Sequence, residues 1–230
     1  MVLTENNVTF VVQGNISPEW TRNCTFSIRK YYPKSKIIIS TWKNQTPFLE
    51  FIEYDKVILN KDPGISKNNI ARQIVSSLNG IIEADTNYVI KIRSDIQICN
   101  NWINYWSAWN QKATDFQRKI IVSNLYSIHP DKQGSLYLCD FIYCGVKEDL
   151  IKLFAIPASE DHNGPEEYIA TKYLMLKNNY ESITDIKKVL RNNFVVFDQN
   201  MMKIICLKYP YYKGENMITR KEFEDIYAEL

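Results

Sequence analysis

The sequence predicts an α/β fold in which helices flank a mostly parallel central sheet, within a single domain. Short apolar, β-branched runs recur along the first half of the 230-residue chain and end at turn residues. Such continuous runs are typical of strands buried on both faces of a parallel sheet. Apolar stripes with helical spacing stand between them, and alternating strands and helices favour a parallel α/β sheet.

Four strands are predicted in the first half of the chain. They cover residues 8–12, 36–41, 56–60 and 88–93. The first ends at Gln13-Gly14-Asn15, a polar turn that closes an apolar run. The fourth leads directly into Ser94-Asp95.

Two helices are predicted between these strands. Ser17 can cap the first, Pro18 suits its first turn, and Pro33 should end it. Ser66 or Asn68 is the predicted cap of the second helix. The apolar stripe of that helix consists of Ile70, Ile74, Leu78, Ile81 and Ile82.

The second half of the chain is less regular. Strands are predicted at 119–122, 136–143 and 194–197. Helices are predicted at 102–113, after the turn at 145–149, from Pro165 onward, and at 219–230. We expect residues of about 1–98 to form a ligand-binding half and residues of about 99–230 to form a second half with a C-terminal arm.

Composition excludes several classes of protein. A net charge of +2 is too small for a nucleic-acid binder, which usually has a strongly basic face. The 5 cysteines are scattered and form no zinc-ligand pattern, which favours reduced thiols in the cytoplasm. No signal peptide is evident, and no apolar run reaches the roughly 20 residues of a membrane helix. We expect a cytoplasmic protein that can associate peripherally with the inner face of a membrane.

Missing motifs narrow the chemistry further. The chain has no G-x-x-x-x-G-K-[ST] loop, no G-x-G-x-x-G after the first strand and no G-x-S-x-G. These absences disfavour P-loop nucleotidases, dinucleotide oxidoreductases and α/β-hydrolases. With only His129 and His162 in the chain, carboxylates must carry any acid–base catalysis.

Polar groups follow three of the predicted strands. These groups are Gln13-Gly14-Asn15, Thr41-Trp42 and Ser94-Asp95. Ligands of open parallel sheets bind outside the carboxyl ends of the strands, so we expect the three groups to meet in one cleft. Gly14 would let the backbone approach a ligand, Trp42 offers a stacking face, and Asp95 suits Mg²⁺ or Mn²⁺. A turn glycine, a core tryptophan and a capping aspartate are the ordinary alternatives.

Several blocks of the sequence together resemble the WavE family of lipopolysaccharide-synthesis proteins. They keep their order and extend over roughly residues 8–180. The blocks are VVQGNI (11–16), IIISTW (37–42), LNKDPG (59–64), NIARQI (69–74), KIRSD (91–95) and DFIYCG (140–145).

The resemblance implies a glycosyltransferase of the GT-A type. Such a protein has a half that binds a nucleotide-sugar donor, a metal motif, and a half that binds an oligosaccharide or lipid-linked glycan acceptor. The usual metal motif is Asp-x-Asp, whereas this chain has Arg93-Ser94-Asp95. The resemblance thus implies Mn²⁺ or Mg²⁺ on Asp95, with Arg93 at the position of the first aspartate. The products would be lipopolysaccharide, capsule or another surface polysaccharide.

The predicted donor site combines strand-end residues with basic groups. Arg72 lies one turn into the second helix, where its guanidinium could pair with a phosphate. An ordinary surface arginine is the alternative. Arg93 could itself neutralise diphosphate charge. The complete predicted donor set is Gln13, Gly14, Thr41, Trp42, Asp62, Arg72 and Arg93.

Two carboxylates are candidates for the catalytic base of an inverting transfer. Glu166 begins a helix after a polar loop, where many inverting GT-A enzymes have their base. Asp140 lies in an apolar stretch, where a carboxylate is costly unless it is paired or functional. We favour Glu166 as the base and Asp140 as an acceptor-binding group. His162 could reach the metal or the phosphates.

Two other functions fit the same sequence. A sugar nucleotidyltransferase shares this kind of sheet, although Gln13-Gly14-Asn15-Ile16 is poor in glycine for its phosphate loop. A non-catalytic module that binds nucleotide sugars or carbohydrates could use the same aromatic residues. The aromatic and basic segment 208–213 could complete the acceptor cleft, contact a membrane surface or pack as an arm.

Overall fold

Among the residues that the computed structural model describes (3–64, 67–104, 119–158, 164–176, 182–209 and 217–228), seven strands form one sheet and two form another. In chain order the strands are β1 (Val8–Gln13), β2 (Lys36–Trp42), β3 (Lys56–Asn60), β4 (Tyr88–Arg93), β5 (Ile96–Ile98), β6 (Ile120–Ser123), β7 (Ile142–Val146), β8 (Phe194–Phe197) and β9 (Ile204–Cys206). The large sheet has the order β3-β2-β1-β4-β7-β6-β8, and β5 pairs with β9.

The large sheet is mostly parallel, as predicted. Only β7 is antiparallel to its neighbours β4 and β6 among these strands. The strands of the first half pair in parallel around β1. β1, β2 and β4 are buried on both faces, as is typical of parallel sheets, whereas β3 at the edge is partly exposed. The predictions for β3, β4 and β8 are confirmed to the residue. The prediction of an α/β fold with a mostly parallel central sheet is therefore confirmed.

Helices cover the sheet. They are α1 (Trp20–Tyr31), α2 (Ile70–Ile82), α3 (Pro130–Gln133), α4 (Lys147–Phe154), α5 (Pro165–Leu176), α6 (Ile183–Asn193), α7 (Gln199–Met202) and α8 (Arg220–Ala228). Within the described ranges, none of these helices is long and apolar enough to cross a bilayer.

The ends of the first two helices test the predicted caps. The N-cap of α1 is Glu19 and not the predicted Ser17, although the Ser17 hydroxyl accepts from the backbone N–H of Trp20 at 3.2 Å. The helix ends at Tyr31, before the predicted stop at Pro33. The cap predicted for α2 is wrong, because the N-cap is Asn69 and not Asn68. Both asparagines have left-handed backbone, with φ of 59° and 55°, a conformation that asparagine tolerates better than most residues. Ser66 lies outside the described residues.

The predicted strand at 136–143 is wrong for most of its length. Regular pairing begins only at Ile142. The preceding backbone N–H groups have other partners: Leu138 donates to the Glu166 carbonyl at 3.4 Å and Cys139 donates to the Ser127 hydroxyl at 2.9 Å. This apolar segment is buried without joining the ladder, so Asp140 precedes β7 and is not part of a strand.

The remaining predictions in the second half have mixed outcomes. The strand predicted at 119–122 is β6, shifted by one residue, and the helices predicted near 147, 165 and 219 are α4, α5 and α8. Most of the predicted helix 102–113 lies outside the described residues. Helix α6 was not predicted, although Ser182 caps it by accepting from the Asp185 N–H at 3.2 Å.

Gly80 is required where α2 packs on the sheet. A Cβ at this position would lie 2.4 Å from Cγ1 of Val11 and 2.9 Å from Cβ of Ser40. Because α2 and the sheet would have to separate, Gly80→Ala should lower the free energy of unfolding by about 1–3 kcal/mol. Urea unfolding measures this loss. Gly145→Ala is the control, because a Cβ there would meet its nearest neighbours at ordinary contact distances of 3.5–3.7 Å. Wild-type stability in Gly80→Ala would contradict the packing described here.

Candidate active site

A cleft of about 600 Å³ opens at the carboxyl ends of β1, β2 and β4. The first strand contributes Gln13 and Gly14, the second contributes Trp42, and the fourth contributes Arg93 and the following Ser94 and Asp95. The other lining residues are Asn15, Ile16, Ser17, Trp20, Asn68, Asn69, Arg72, Gln73, Tyr126, Asp140, Phe141, Gly164, Pro165, Glu166, Lys208 and Tyr209. The strand ends thus converge as the parallel sheet predicts.

Most of the predicted site residues meet in this cleft, and two do not. Those that line it are Gln13, Gly14, Trp42, Arg72, Arg93, Asp95, Asp140 and Glu166. Thr41 is fully buried away from it, and its hydroxyl has no hydrogen-bond partner. Asp62 also lies outside the lining but pairs with Arg72. His162 lies outside the described residues.

The end of β1 is fixed by side-chain amides. Gln13 donates to Gln73 at 2.9 Å and accepts from the Ser76 hydroxyl at 2.7 Å. The next residue, Gly14, has a φ of +115°, which strains any other residue, and its N–H donates to the Ser40 carbonyl at 3.1 Å. The close backbone approach predicted at Gly14 is therefore sterically available at the cleft surface, although this N–H already has a partner.

Arg93 is the central cation of the cleft. Its Nε and Nη2 donate to the two carboxylate oxygens of Asp95 at 3.1 and 2.7 Å. Its Nη1 donates to Asp140 at 3.3 Å, and its guanidinium carbon lies 4.4 Å from the centre of the Phe141 ring. Burial disfavours the charged form, but Asp140 and Asp95 outweigh this effect and raise the pKa of Arg93 above its usual value.

A second cation lies beneath the cleft. Lys91 is fully buried in β4 and donates to the backbone carbonyl of Asp140. Its ammonium also lies over the rings of Tyr143 and Phe154, at 5.5 and 5.8 Å. Burial lowers the pKa of Lys91 to about 8, although the nearby Asp140 opposes this shift.

Glu166 projects into the cleft from the first turn of α5. Pro165 begins this helix, and Gly164 leaves room for the glutamate, because a Cβ there would lie 2.7 Å from Oε2 of Glu166. Burial raises the pKa of Glu166 to about 8, Asp140 adds to the rise, and Arg93 opposes it. Near neutral pH this carboxyl therefore holds its proton more firmly than an exposed glutamate does.

The arrangement around Asp95 does not fit a directly bound divalent ion. Both carboxylate oxygens of Asp95 accept from Arg93, and the same guanidinium pairs with Asp140. Within the described ranges, no group of three or more His, Cys, Asp or Glu side chains could hold a metal ion. The Mn²⁺ or Mg²⁺ predicted on Asp95 stays a prediction.

Arg72 stands at the rim of the cleft, in the first turn of α2. It forms a two-point ion pair with Asp62, with Nε and Nη2 at 2.8 and 2.5 Å from the carboxylate oxygens. This pair raises the pKa of Arg72 and lowers that of Asp62. Asp62 thus positions Arg72 at the cleft without lining the cleft itself.

Replacing Arg72 should weaken binding of a nucleoside diphosphate. Arg72→Ala removes a cation from the cleft lining. A hydrogen bond between this cation and a phosphate would contribute about 1.5–3 kcal/mol to binding, so its loss should raise the Kd by about 10–100-fold. Stability should change by less than about 1 kcal/mol, because the ion pair is partly exposed. Isothermal titration measures the affinity. Arg22→Ala, at an exposed position of α1, is the control. If the two variants bind the nucleoside diphosphate with equal affinity, Arg72 does not contribute to its binding.

Aromatic groups form part of the walls. Trp42 contributes to the lining but is only 2% exposed, so the stacking face predicted for it is wrong and the core tryptophan is observed, with an indole Nε1 that has no hydrogen-bond partner. Lys208 and Tyr209 follow β9, which pairs with β5 directly after Asp95. Of the three alternatives for segment 208–213, a place in the cleft wall is observed for Lys208 and Tyr209, whereas 210–213 lie outside the described residues.

Sequence reasoning missed Gln73 and Lys91. Gln73 lies on the buried face of α2 and donates to the Asp140 carboxylate at 3.0 Å. Lys91 is the charged residue within an otherwise apolar strand segment. In both cases the available signal was a polar residue at a position that periodicity predicts to be buried.

Fold and site together define an α/β protein with a polar, charged ligand cleft at the carboxyl ends of its parallel strands. Within this class, the chain belongs to the WavE lipopolysaccharide synthesis family, whose model matches residues 8–208. The family resemblance of the sequence is thereby confirmed. The family description relates the chain to lipopolysaccharide synthesis. A comparison with curated proteins found no match.

Two solved structures are similar in fold. One is CMP:2-keto-3-deoxy-manno-octonic acid synthetase complexed with CTP, with 10% identity, a TM-score of 0.49, and coverage of 84% of this chain and 89% of that one. The other is 4-diphosphocytidyl-2C-methyl-D-erythritol synthase from Anaerococcus prevotii DSM 20548, with 10% identity, a TM-score of 0.46, and coverage of 98% and 99%. At these values the likeness does not extend to activity.

Proposed function

We propose that the chain is a glycosyltransferase that moves a sugar from a nucleotide-sugar donor to a glycan acceptor in lipopolysaccharide or related surface-polysaccharide synthesis. The observation that carries the proposal is the composition of the cleft. Two arginines line it together with a half-buried glutamate whose pKa is raised to about 8. Transfer from a nucleotide sugar needs positive charge for the leaving diphosphate, and an inverting transfer also needs a carboxylate base.

The donor is assigned to the strand-end side of the cleft. Gly14 offers a backbone position without a side chain beside the nucleoside, and the diphosphate would lie towards Arg93 and Arg72. The N-terminus of α2, which carries Arg72, adds its partial positive charge on that side. This division matches the predicted donor half of about residues 1–98, which stays a prediction.

Glu166 is assigned as the base that takes the proton of the acceptor hydroxyl. Its pKa of about 8 makes the ionised form a stronger base than an exposed glutamate, at the cost of a smaller ionised fraction near neutral pH. The acceptor would bind on the side of Glu166, Lys208 and Tyr209. The Asp140 carboxylate accepts from Gln73 and pairs with Arg93. These contacts support a role in positioning the arginine better than they support the predicted role in acceptor binding.

A donor screen tests the proposal. The protein is incubated with nucleotide sugars of different bases and sugars, once with Mn²⁺ and once with EDTA, and release of nucleoside diphosphate is measured. Slow hydrolysis of one donor is expected. Binding without turnover, with or without acceptors, would favour the non-catalytic module. Release of pyrophosphate from a nucleoside triphosphate and a sugar phosphate would favour the nucleotidyltransferase.

A further inference from the structure

We propose that Arg93 occupies the place of a divalent ion, so that the cleft binds the donor's diphosphate without a metal. This inference rests on the proposed function, because it concerns the leaving diphosphate. It departs from the Mn²⁺ or Mg²⁺ site that the family resemblance implies at Asp95. The structure supplies three reasons.

The first reason is that the carboxylates already have a cation between them. Asp95 meets Arg93 through two parallel hydrogen bonds, the geometry in which arginine binds carboxylates most strongly. Asp140 is nearly fully buried and shares its oxygens between Arg93 and the amide of Gln73. A metal ion on Asp95 would have to displace the guanidinium from both carboxylates.

The second reason is that Arg93 is held in place. Its guanidinium stacks on Phe141 and is fixed by carboxylates on two edges. Arginine keeps its charge across the accessible pH range, so this cation is permanent. A divalent ion on these carboxylates would compete with the guanidinium for the same oxygen atoms, and the two cations would repel each other at that distance.

The third reason is that Arg93 keeps hydrogen-bonding capacity for a ligand. A guanidinium has five N–H groups, and the Nη2 of Arg93 uses one of its two for Asp95. The side chain is 20% exposed and lines the cleft. A phosphate oxygen in the cleft can therefore accept from this nitrogen while both ion pairs stay intact.

The substitution Arg93→Asp offers a sharp test, because it restores an Asp-x-Asp motif at 93–95. Binding of Mn²⁺ alone is measured by thermal shift and isothermal titration, without nucleotide. We expect no saturable binding below about 1 mM for the wild type and saturable binding with a rise in Tm for Arg93→Asp. The control is Arg29→Asp, which places an aspartate beside Asp55 outside the cleft and should gain no such site.

Saturable Mn²⁺ binding by the wild type that Asp95→Asn removes would overturn the proposal. If Arg93→Asp does not fold, nucleotide binding by the wild type tests the proposal. Four nucleoside diphosphates are titrated, and the Kd of the one that binds most tightly should differ by less than two-fold between Mn²⁺ and EDTA. The proposal would also be overturned if the wild type bound the nucleoside diphosphate in Mn²⁺ but not in EDTA and Asp95→Asn did not bind it in Mn²⁺. If no nucleoside diphosphate binds under any condition, the proposed function fails, and the titration with Mn²⁺ alone still decides the role of Arg93.

Discussion

Glu166→Gln is expected to reduce turnover by about 100- to 10,000-fold while leaving nucleotide affinity within about two-fold of the wild type. Glutamine keeps the shape and the hydrogen-bonding capacity of a protonated glutamate but cannot accept a proton from the acceptor. The wild-type rate should rise with pH up to about 8, since the base must be ionised. Steady-state rates and nucleotide titrations with the donor found by the screen measure both effects.

The same substitution should stabilise the protein at alkaline pH. The pKa of Glu166 is raised from its usual 4.5 to about 8 in the folded state, so its stabilising contribution is fully present below about pH 4.5. That contribution is lost as the pH rises through about 8, where the buried carboxyl must ionise. Glutamine has no such loss. Above pH 8, Glu166→Gln should therefore exceed the wild type in free energy of unfolding, on the order of a few kcal/mol.

A matched control distinguishes the loss of a catalytic base from general damage to the start of α5. Glu167 lies in the same turn of α5, outside the cleft lining, and accepts from the Ser135 hydroxyl at 3.0 Å. Glu167→Gln should leave turnover and its pH dependence unchanged. Retained turnover in Glu166→Gln would move the base elsewhere. Lost turnover in Glu167→Gln would point to damage of the helix start.

Arg93→Met is expected to lower the free energy of unfolding by about 3–5 kcal/mol and to weaken nucleoside-diphosphate binding beyond detection. Methionine fills a similar volume against Phe141 but leaves Asp140, which is nearly fully buried, and Asp95 without their shared cation. Because desolvated charges are costly without a partner, the loss should be larger than for an exposed ion pair. Urea unfolding and isothermal titration measure the two losses.

Two further variants show whether the loss arises from these ion pairs. Arg93→Lys keeps the charge but not the paired geometry, so it should recover only part of the stability. In a double-mutant cycle, Asp140→Asn should cost much less in the Arg93→Met background than in the wild type. Additive losses would show that Arg93 and Asp140 do not act together, contrary to their 3.3 Å contact.

The centre of the sheet could be predicted because β1, β2 and β4 are buried on both faces over most of their length. Segments 56–60 and 88–93 each contain a short apolar, β-branched run, and their ends coincide with β3 and β4. The segment 136–143 is also largely apolar, but it pairs with a neighbouring strand only from Ile142, because the N–H groups of Leu138 and Cys139 donate to Glu166 and Ser127. An apolar composition predicts that a segment is buried. Whether the segment pairs as a strand depends on partners that are distant in the sequence.

The site could be predicted to the level of strand ends but not to the level of side-chain direction. Thr41 and Trp42 are adjacent in β2, so their side chains lie on opposite faces, and only Trp42 reaches the cleft. The pairing of Arg72 with Asp62 joins a loop to a helix and leaves no local pattern. Likewise, Arg93 was recognised as the departure from Asp-x-Asp, but its bond to Asp140 depends on the tertiary fold.

A crystal structure with the donor that the screen identifies tests the central assignment most directly. The nucleotide should lie in the cleft between the ends of β1, β2 and β4, with its diphosphate within hydrogen-bond distance of Arg93 and the sugar facing Glu166. A donor bound at another surface, or one whose sugar faces away from Glu166 with its diphosphate remote from Arg93, would contradict the account.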